Sequence, residues 1–292
     1  MRVAIYGRKF SDDFIPYFQT LINELENSKI EYIVYSRFYK FLKKKEIIFP
    51  KQVEEYTRKT YPKLPIDFLF TIGGDGTILD TISSIKKGVP IVAVNSGRLG
   101  FLSNTAKTEI KEVISKLLSK DYRIEERTMI NLETKAKLFG KYNFALNELT
   151  VHKKDSSSMV TIHVYVNGMF LNSYWADGLI IATPTGSTAY SLSCGGPIVM
   201  PNSDNFVITP IAPHNLNIRP IVVPDDSVIE LKVEGREEKF FATLDSRSEE
   251  ISVDNSLKIS KSKLKINLVQ FPNQNFFTTI RNKLMWGADK RN

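Results

Sequence analysis

The stretch Asp67-Phe68-Leu69-Phe70-Thr71-Ile72-Gly73-Gly74-Asp75-Gly76-Thr77 decides the fold. Its first six residues form a near-continuous apolar run, the pattern of a parallel strand buried on both faces. Gly73-Gly74 stops the strand, and Ile78, Leu79, Ile82 and Ile85 then recur at helical spacing. A buried strand therefore hands over to a helix through a glycine turn. In a parallel sheet that edge is where ligands bind.

The same alternation repeats outward in both directions. Toward the N-terminus, Arg2 to Tyr6 ends in Gly7, and Phe14, Phe18, Leu21, Ile22 and Leu25 mark a helix with one buried stripe. Glu31 to Tyr35 reads as a second strand. Toward the C-terminus, Pro90 to Val94 reads as a strand and Ile110, Val113, Ile114, Leu117 and Leu118 as a helix, with Thr108 as its expected cap. Strands alternating with helices imply a parallel sheet covered on both faces. The polar, Lys-rich stretch from Tyr35 to Pro65 receives no role from its sequence.

After about Tyr122 the rhythm changes to that of a β-rich region. Val160, Ile162, Val164 and Val166 alternate with Thr161, His163, Tyr165 and Asn167, and Asn167-Gly168 suits a type I′ turn before Met169-Phe170-Leu171. Leu179–Ala182, Phe206–Thr209, Ile221–Val223, Ile229–Val233, Lys239–Ala242 and Lys263–Val269 are further short strand candidates. Phe276, Phe277, Ile280 and Leu284 return to helical spacing. No repeat is present, and the longest low-complexity segment is Ser156-Ser157-Ser158.

A chain of 292 residues suits two domains at roughly 100 to 200 residues each. Apolar residues make up 42%, enough for a full core, which excludes global disorder. Forty Lys and Arg against 32 Asp and Glu give a formal charge of +8, which suits an anionic partner without choosing among nucleic acid, membrane and phosphorylated small molecule. The one dense basic run, Lys43-Lys44-Lys45, reads as a solvated helix or loop face, so no nucleic-acid partner is expected. No apolar run approaches the roughly 18 residues that span a bilayer, and Val3 to Tyr6 is too short for a signal-peptide core. The expectation is a cytoplasmic protein that keeps its N-terminus and binds no membrane. One Cys and three His (Cys194, His152, His163, His214) offer no zinc cluster.

Four segments carry chemistry. In Gly73-Gly74-Asp75-Gly76-Thr77 the glycines let the backbone approach an anion, and the helix start offers free N–H groups and a favourable dipole. Asp75 beside a phosphate would hold a metal ion or accept a proton from an attacking hydroxyl; the alternative is a tight turn with Asp75 as helix N-cap. Thr183-Pro184-Thr185-Gly186-Ser187-Thr188-Ala189-Tyr190 follows an apolar strand and can offer hydroxyls to a nucleoside and a ring to its base, or be a Ser/Thr-rich turn. Asn95-Ser96-Gly97-Arg98-Leu99-Gly100-Phe101-Leu102 and Asn147-Glu148 are the other two, with a strand-exit turn as the alternative for the first and a solvated strand end for the second. His214 is expected to make a structural hydrogen bond, Cys194 to be a small buried residue, and Trp286 to pack.

In this combination the chain resembles the NAD kinase family, which transfers the γ-phosphate of ATP, or polyphosphate in some members, to the 2′-hydroxyl of the adenosine ribose of NAD to give NADP. The resemblance runs from about Ile66 to about Asp245 through GGDGT, NSGRLGFL, NEL, ADGLIIATPTGSTAYSLSCGGPI and PHNLNIRPIVVP, in order. It implies an α/β plus β fold: a Rossmann-like α/β nucleotide-binding domain over residues 1–122, a β-rich NAD-binding domain over 123–272, and a helical tail over 273–292 returning to the first domain. The active site would lie between the domains, in a homodimer or homotetramer.

Residue by residue, the resemblance makes Asp75 the catalytic carboxylate. Gly73, Gly74, Gly76 and Thr77 would serve the ATP phosphates, with Mg²⁺ carried on those phosphates and Asp75 as its only candidate protein contact. Phe101 would line the adenosine pocket, and Asn147 and Glu148 would bond base and ribose groups. Asp177, Thr185, Thr188, Ala189 and Tyr190 would complete the NAD site, with Asp177 reaching a neighbouring subunit's ligand and Asp245 near the nicotinamide end. Three departures stand out. Trp175 occupies a position where many members carry a basic residue, Ser246-Arg247 follow Asp245 where a Gly is common, so that Arg247 becomes a candidate positive charge, and the stretch from Tyr35 to Pro65 is long and polar. Two competing functions share part of the pattern: a lipid kinase with the same GGDGT loop, and a non-catalytic NAD or NADP sensor.

Overall fold

The structure is a computed structural model that describes residues 1–83, 88–154, 159–235 and 238–286. Ile85 of the expected helix stripe and the Ser156-Ser157-Ser158 run lie outside the described residues. The chain divides into two compact units, residues 1–126 with 266–292, and residues 127–265.

The first unit alternates β1 (Arg2–Gly7), α1 (Ile15–Asn27), β2 (Glu31–Tyr35), α2 (Ser36–Lys44), β3 (Glu54–Tyr56), β4 (Phe68–Ile72), α3 (Asp75–Ile82), β5 (Ile91–Val94) and α4 (Ile110–Ser119). Its five strands are parallel in the order β5-β4-β1-β2-β3. β1 thus sits in the middle, with β2 and β3 laid to one side before the chain crosses back to place β4 and β5 on the other. Val3 to Ile5, Ile33, Val34, Leu69, Phe70, Ile72 and Ile91 to Val94 are buried, as a sheet covered on both faces requires.

The Tyr35 to Pro65 stretch, given no role by its sequence, builds α2, β3 and a 3₁₀ turn at Tyr61–Lys63, and one local reading is corrected. α2 is short and carries four cations in nine residues, and only Phe38 and Leu42 are buried from it. Its Lys43 and Lys44 lie exposed in the last turn, where cations offset the helix dipole. Thr108 does not cap α4: a 3₁₀ turn at Lys107–Glu109 precedes the helix, and the Glu109 carboxylate accepts from the Ala106 amide at 2.7 Å.

The second unit is built of strands: β6 (Arg123–Thr134, starting in the first unit), β7 (Phe144–Ala145), β8 (Glu148–Lys153), β9 (Val160–Val166), β10 (Met169–Ala176), β11 (Gly178–Ala182), the one-turn α5 (Tyr190–Ser193), β12 (Asn205–Ile211), β13 (Ile221–Pro224), β14 (Ile229–Glu234), β15 (Lys239–Leu244), β16 (Arg247–Ser252) and the start of β17 (Leu257–Gln270). One sheet runs β13-β12-β11-β8-β15-β16, all antiparallel, and β10-β9-β14-β17 forms a second. Leu149, Val151, Leu179, Ile181, Phe206 and Phe240 from the first sheet share one core with Ile162, Val164, Ile229, Leu231 and Ile259 from the second. The β9–β10 hairpin turns at Asn167 and Gly168 with φ of +52° and +79°, the backbone a type I′ turn needs. β6 and β16 were not anticipated; β16 carries a single apolar residue, Ile251, on a charged edge strand.

After β17 the chain is back in the first unit, where Leu268 pairs with Ile91, and it ends in α6 (Phe276–Leu284). Asn275 caps this helix, its side chain accepting from the Thr278 amide at 2.8 Å. Trp286 is 57% exposed within the single chain. Among the described residues no helix is long and apolar enough to cross a membrane.

Phe240 is fully buried between the two sheets of the second unit. Phe240→Ala should cost about 3 to 5 kcal/mol of stability. Urea unfolding followed by near-UV circular dichroism will show the drop in midpoint.

Candidate active site

Asp75 opens α3, but Gly74 is the residue at the cap and the Asp75 side chain does something else. Its carboxylate turns to the loop that leaves β5. Oδ2 accepts from the Phe101 amide at 2.8 Å, and Oδ1 from the amides of Leu102 at 3.1 Å and Ser103 at 2.8 Å and from the Ser103 hydroxyl at 3.1 Å. Four donors satisfy a half-buried carboxylate, and Oδ2, with one donor, keeps the spare acceptor capacity. The N-cap alternative for Asp75 is therefore set aside.

Asn95, 1% exposed, winds that loop from inside. Its Nδ2 donates to the Arg98 carbonyl at 2.7 Å and the Ser103 hydroxyl at 2.8 Å, while its Oδ1 accepts from the Gly97 amide at 2.6 Å. Ser103 Oγ thus accepts from Asn95 and donates to Asp75. Gly100 must lack a side chain, because a Cβ there would run into Asp75 Oδ1. Gly73, at φ +149°, packs on Thr77, which is buried, whereas Gly74 and Gly76 lie exposed beside Asp75. Phe101 is half-buried with Lys283 Nζ 5.9 Å from its ring centre.

The second unit gathers the other expected residues around the end of β8. Asp245 lies in the two-residue turn between β15 and β16, at φ +52°. Its carboxylate accepts from the amides of Leu146 at 3.0 Å, Asn147 at 2.7 Å and Glu148 at 3.4 Å. The TPTGSTAY turn then closes on the same backbone: the Thr183 amide donates to the Asn147 carbonyl at 2.8 Å and its hydroxyl to the Leu146 carbonyl at 2.5 Å. Gly186 sits against the Asn147 carbonyl oxygen, with no room for a Cβ. Thr185 is buried, Thr188 and Ala189 are half-buried, and the Tyr190 ring is 46% exposed at the mouth of the turn. Asp177 is less central, held by Lys153 Nζ at 2.6 Å.

Glu148 and Asp245 form a coupled pair of carboxyls. Burial first, and Asp245 second, push Glu148 up to about 8. Burial also raises Asp245, against the pull of its three amide donors and of Arg247. Asp245, with its amides, is the member that carries charge; Glu148, whose Oε2 has no partner among the described residues, holds the proton. A protonated Glu148 can both donate to and accept from a hydroxyl.

Other candidates are moved elsewhere. Arg247 donates to the carbonyls of Tyr142 and Phe144, which fix its guanidinium there, and its charge acts on Asp245. The Trp175 ring packs on His214, centroids 4.2 Å apart, and the Trp175 carbonyl accepts from the His214 amide at 2.9 Å. Cys194 is half-buried rather than buried, and burial raises its thiol, the opposite of an activated nucleophile. Sequence reasoning passed over Arg127, 4% exposed, whose Nη1 donates to Thr185 Oγ1 at 3.4 Å, and Ser103. The available signal for Arg127 was a charge set among the buried Met129, Ile130 and Leu132.

A glycine turn at the carboxyl end of a central parallel strand, and a second unit that presents buried carboxyls beside a hydroxyl-rich turn, define an enzyme that handles phosphorylated nucleotides. Residues 3–122 match the ATP-NAD kinase N-terminal domain and residues 146–271 the ATP-NAD kinase C-terminal domain. The chain belongs to the NAD kinase family. It is 47% identical to the NAD kinase of Cytophaga hutchinsonii and 43% identical to that of Flavobacterium johnsoniae, each alignment covering 100% of both chains. Among solved structures it is similar to yeast NADH kinase complexed with NADH, at a TM-score of 0.86 and 26% identity over 99% of this chain and 88% of that one. It is also similar to an NAD kinase from Archaeoglobus fulgidus in complex with ATP, at a TM-score of 0.75 and 25% identity over 98% and 99%. The lipid-kinase reading falls with these matches.

Between pH about 4.5 and 8 the folded chain keeps on Glu148 a proton that the unfolded chain has released, so this group makes stability fall as pH rises through that window. Glu148→Gln removes the titration. Chemical denaturation at a series of pH values should give a flatter profile for the variant than for the parent, with the largest gain near pH 8 and above.

Proposed function

We propose that the chain transfers the γ-phosphate of ATP to the 2′-hydroxyl of the adenosine ribose of NAD, giving NADP and ADP. The observation that carries this reading is the held Asp75 carboxylate, with Oδ2 able to accept one more hydrogen bond beside exposed glycine backbone. In the reaction the bond between the 2′-oxygen and the γ-phosphorus forms as the bond from that phosphorus to the bridging oxygen breaks. ADP leaves with the electron pair, and the hydroxyl proton passes to Asp75 or through it to solvent.

A ribose hydroxyl is a poor nucleophile at neutral pH, so alignment and proton acceptance dominate what the protein contributes. Asp75 Oδ2 takes that role, while Gly73, Gly74, Gly76 and Thr77 at the start of α3 receive the phosphates. Phe101 lines the adenosine pocket. In the second unit Asn147 and the protonated Glu148 bond base and ribose groups, and Thr185, Thr188, Ala189 and Tyr190 frame the dinucleotide, with Asp177 and Asp245 at its margins. Asp245 acts mainly by holding the amides of residues 146–148 in place.

Among the described residues no group of three or more His, Cys, Asp or Glu could hold a metal ion. A divalent cation, Mg²⁺, would arrive on the triphosphate oxygens as part of the substrate, with Asp75 as its candidate protein contact. Magnesium use, assembly as a homodimer or homotetramer and cytoplasmic placement belong to the same reading and rest on the family resemblance.

The test incubates the purified chain with NAD, ATP and Mg²⁺ and follows NADP with an NADP-specific dehydrogenase. Asp75→Asn should lower turnover by about a hundredfold to ten-thousandfold while NAD binding by calorimetry is kept. The new amide NH₂ also meets one of the loop N–H donors, so stability should fall by about 1 to 3 kcal/mol. Near-normal turnover in the variant would remove Asp75 from catalysis; tight dinucleotide binding with no turnover by the parent would favour the sensor.

A further inference from the structure

The edge strand β16 and the turn before it spend their charged side chains on one backbone segment of the second unit. Along Asp245 to Glu250 the odd positions are half-buried and the even ones exposed, the alternation of a strand. All three odd side chains bond residues 139–148. Glu249 Oε1 accepts from the Phe139 amide at 3.1 Å, Arg247 donates to the carbonyls of Tyr142 and Phe144, and Asp245 accepts from the amides of Leu146, Asn147 and Glu148. The Asp245 amide returns a bond to the Glu148 carbonyl at 3.1 Å. This row of side-chain bonds therefore ends on Asn147 and Glu148.

Arg247 holds the middle of the row, and its residue type follows from the geometry. β7 reaches β6 through the Asn143 carbonyl, which accepts from the Leu132 amide at 2.7 Å. The carbonyls of Tyr142 and Phe144 are met instead by Nη1 and Nη2 of one guanidinium, a task for a planar fork rather than an ammonium. The Phe144 ring lies beside it, 5.7 Å from Cζ to the ring centre. The same cation acts on Asp245. Burial raises the Asp245 carboxyl, while its three amides and Arg247 pull it down. An ionised carboxylate holds amides more strongly than a neutral one, so the charge matters to the backbone it grips. Glu148 adjoins Asp245, and its Oε2 has no partner among the described residues. From the segment around α5 the Tyr190 amide donates to Glu148, and the Cys194 thiol, raised by burial and more weakly by Glu148, lies near it. Neither brings a charge near neutral pH.

We propose that Arg247 is a positioning residue for the dinucleotide: its guanidinium pins residues 142 to 144, and its charge, acting through Asp245, sets the backbone and the carboxyl that Asn147 and Glu148 present to the substrate. The assignment rests on the reading above in which Asn147 and Glu148 bond base and ribose groups of NAD. Arg247 itself touches backbone and Asp245, and its effect reaches the substrate only through them.

Three variants of the full chain test it. Arg247→Met removes the charge, Arg247→Gln removes it but keeps a donor for the carbonyls, and Arg247→Lys keeps the charge on a single point. The readouts are steady-state kinetics, calorimetry with NAD across the pH range in which each chain is folded, and carboxyl-carbon NMR of Asp245, assigned with Asp245→Asn. In the two neutral variants the Asp245 titration should move up by about one pH unit or more, because loss of an adjoining cation favours the protonated carboxyl. Asp245 then loses its charge at a higher pH as pH falls, so NAD binding should weaken earlier on the acid side than in the parent. The KM for NAD should rise about tenfold with kcat and the KM for ATP within about twofold, the split that marks lost binding rather than lost chemistry. Arg247→Lys should return the titration toward the parent and the KM part of the way. Folded neutral variants with the parent's KM for NAD and the parent's Asp245 titration would overturn the proposal and leave NAD binding standing. Equal loss of NAD binding in all three variants with the titration unmoved would make Arg247 a packing residue alone, and overturns it too. A parent chain that binds no NAD at any pH removes the dinucleotide reading itself, and the proposal with it.

Discussion

Everything near the glycine loop depends on one carboxylate finding its donors. A half-buried Asp75 pays a desolvation cost that only hydrogen bonds offset, and hydrogen bonds to a charged group contribute about 1.5 to 3 kcal/mol each. Its donors are the amides of residues 101–103 and the Ser103 hydroxyl, which converge only if the loop after β5 is wound tightly. Asn95 supplies the winding from below and Gly100 the room from above. The last segment of the chain braces the far side, where Gln270 and Gln274 bond Asn104 and Thr105. Asp75 thus ties the start of α3 to the loop after β5.

The second unit solves the same problem with the same device. Asp245 collects three consecutive amides, 146 to 148, and so fixes the path of the chain into β8. With that backbone set, the Thr183 turn and Gly186 can press against Asn147 without leaving its carbonyl unpaired. The consequence falls on Glu148. Its neighbour already holds the compensated charge, so burial leaves Glu148 protonated near neutral pH and chemically different from Asp75, although both are acidic side chains.

Charge in this chain is used locally rather than globally. The net positive balance did not identify a partner, and the densest basic run lies at the exposed end of α2. The cations that gather around a cavity are Arg8-Lys9, Arg37 and Arg58, from three separate places in the sequence. No run or spacing reveals such a cluster, because parallel strand order, not sequence distance, brings β1, β2 and the segment after β3 to one edge. Arg247 illustrates the converse: beside Asp245 in sequence it resembles a ligand contact, yet its guanidinium is anchored on two backbone carbonyls and its charge acts on Asp245.

Periodicity was legible wherever one face or both faces of an element are buried. The strand into Gly73, the alternation of residues 160 to 166, the Asn167-Gly168 turn and the Phe276 to Leu284 helix all carry their geometry in local pattern, since burial and positive φ restrict which residue types fit. α2, β16 and the start of α4 were not legible. α2 offers only Phe38 and Leu42 to the core, β16 holds its Glu250 through Lys154 and Lys239 from elsewhere in the chain, and a 3₁₀ turn with Glu109 on the Ala106 amide precedes α4. By itself the sequence determined the two-part α/β and β architecture and the segments that bear chemistry, because hydrophobic period and glycine placement act over a few residues. Only the tertiary structure decided which donors Asp75 and Asp245 hold, which of two carboxyls keeps a proton, and where the free cations meet. Those outcomes depend on desolvation and on distances between groups far apart in the chain.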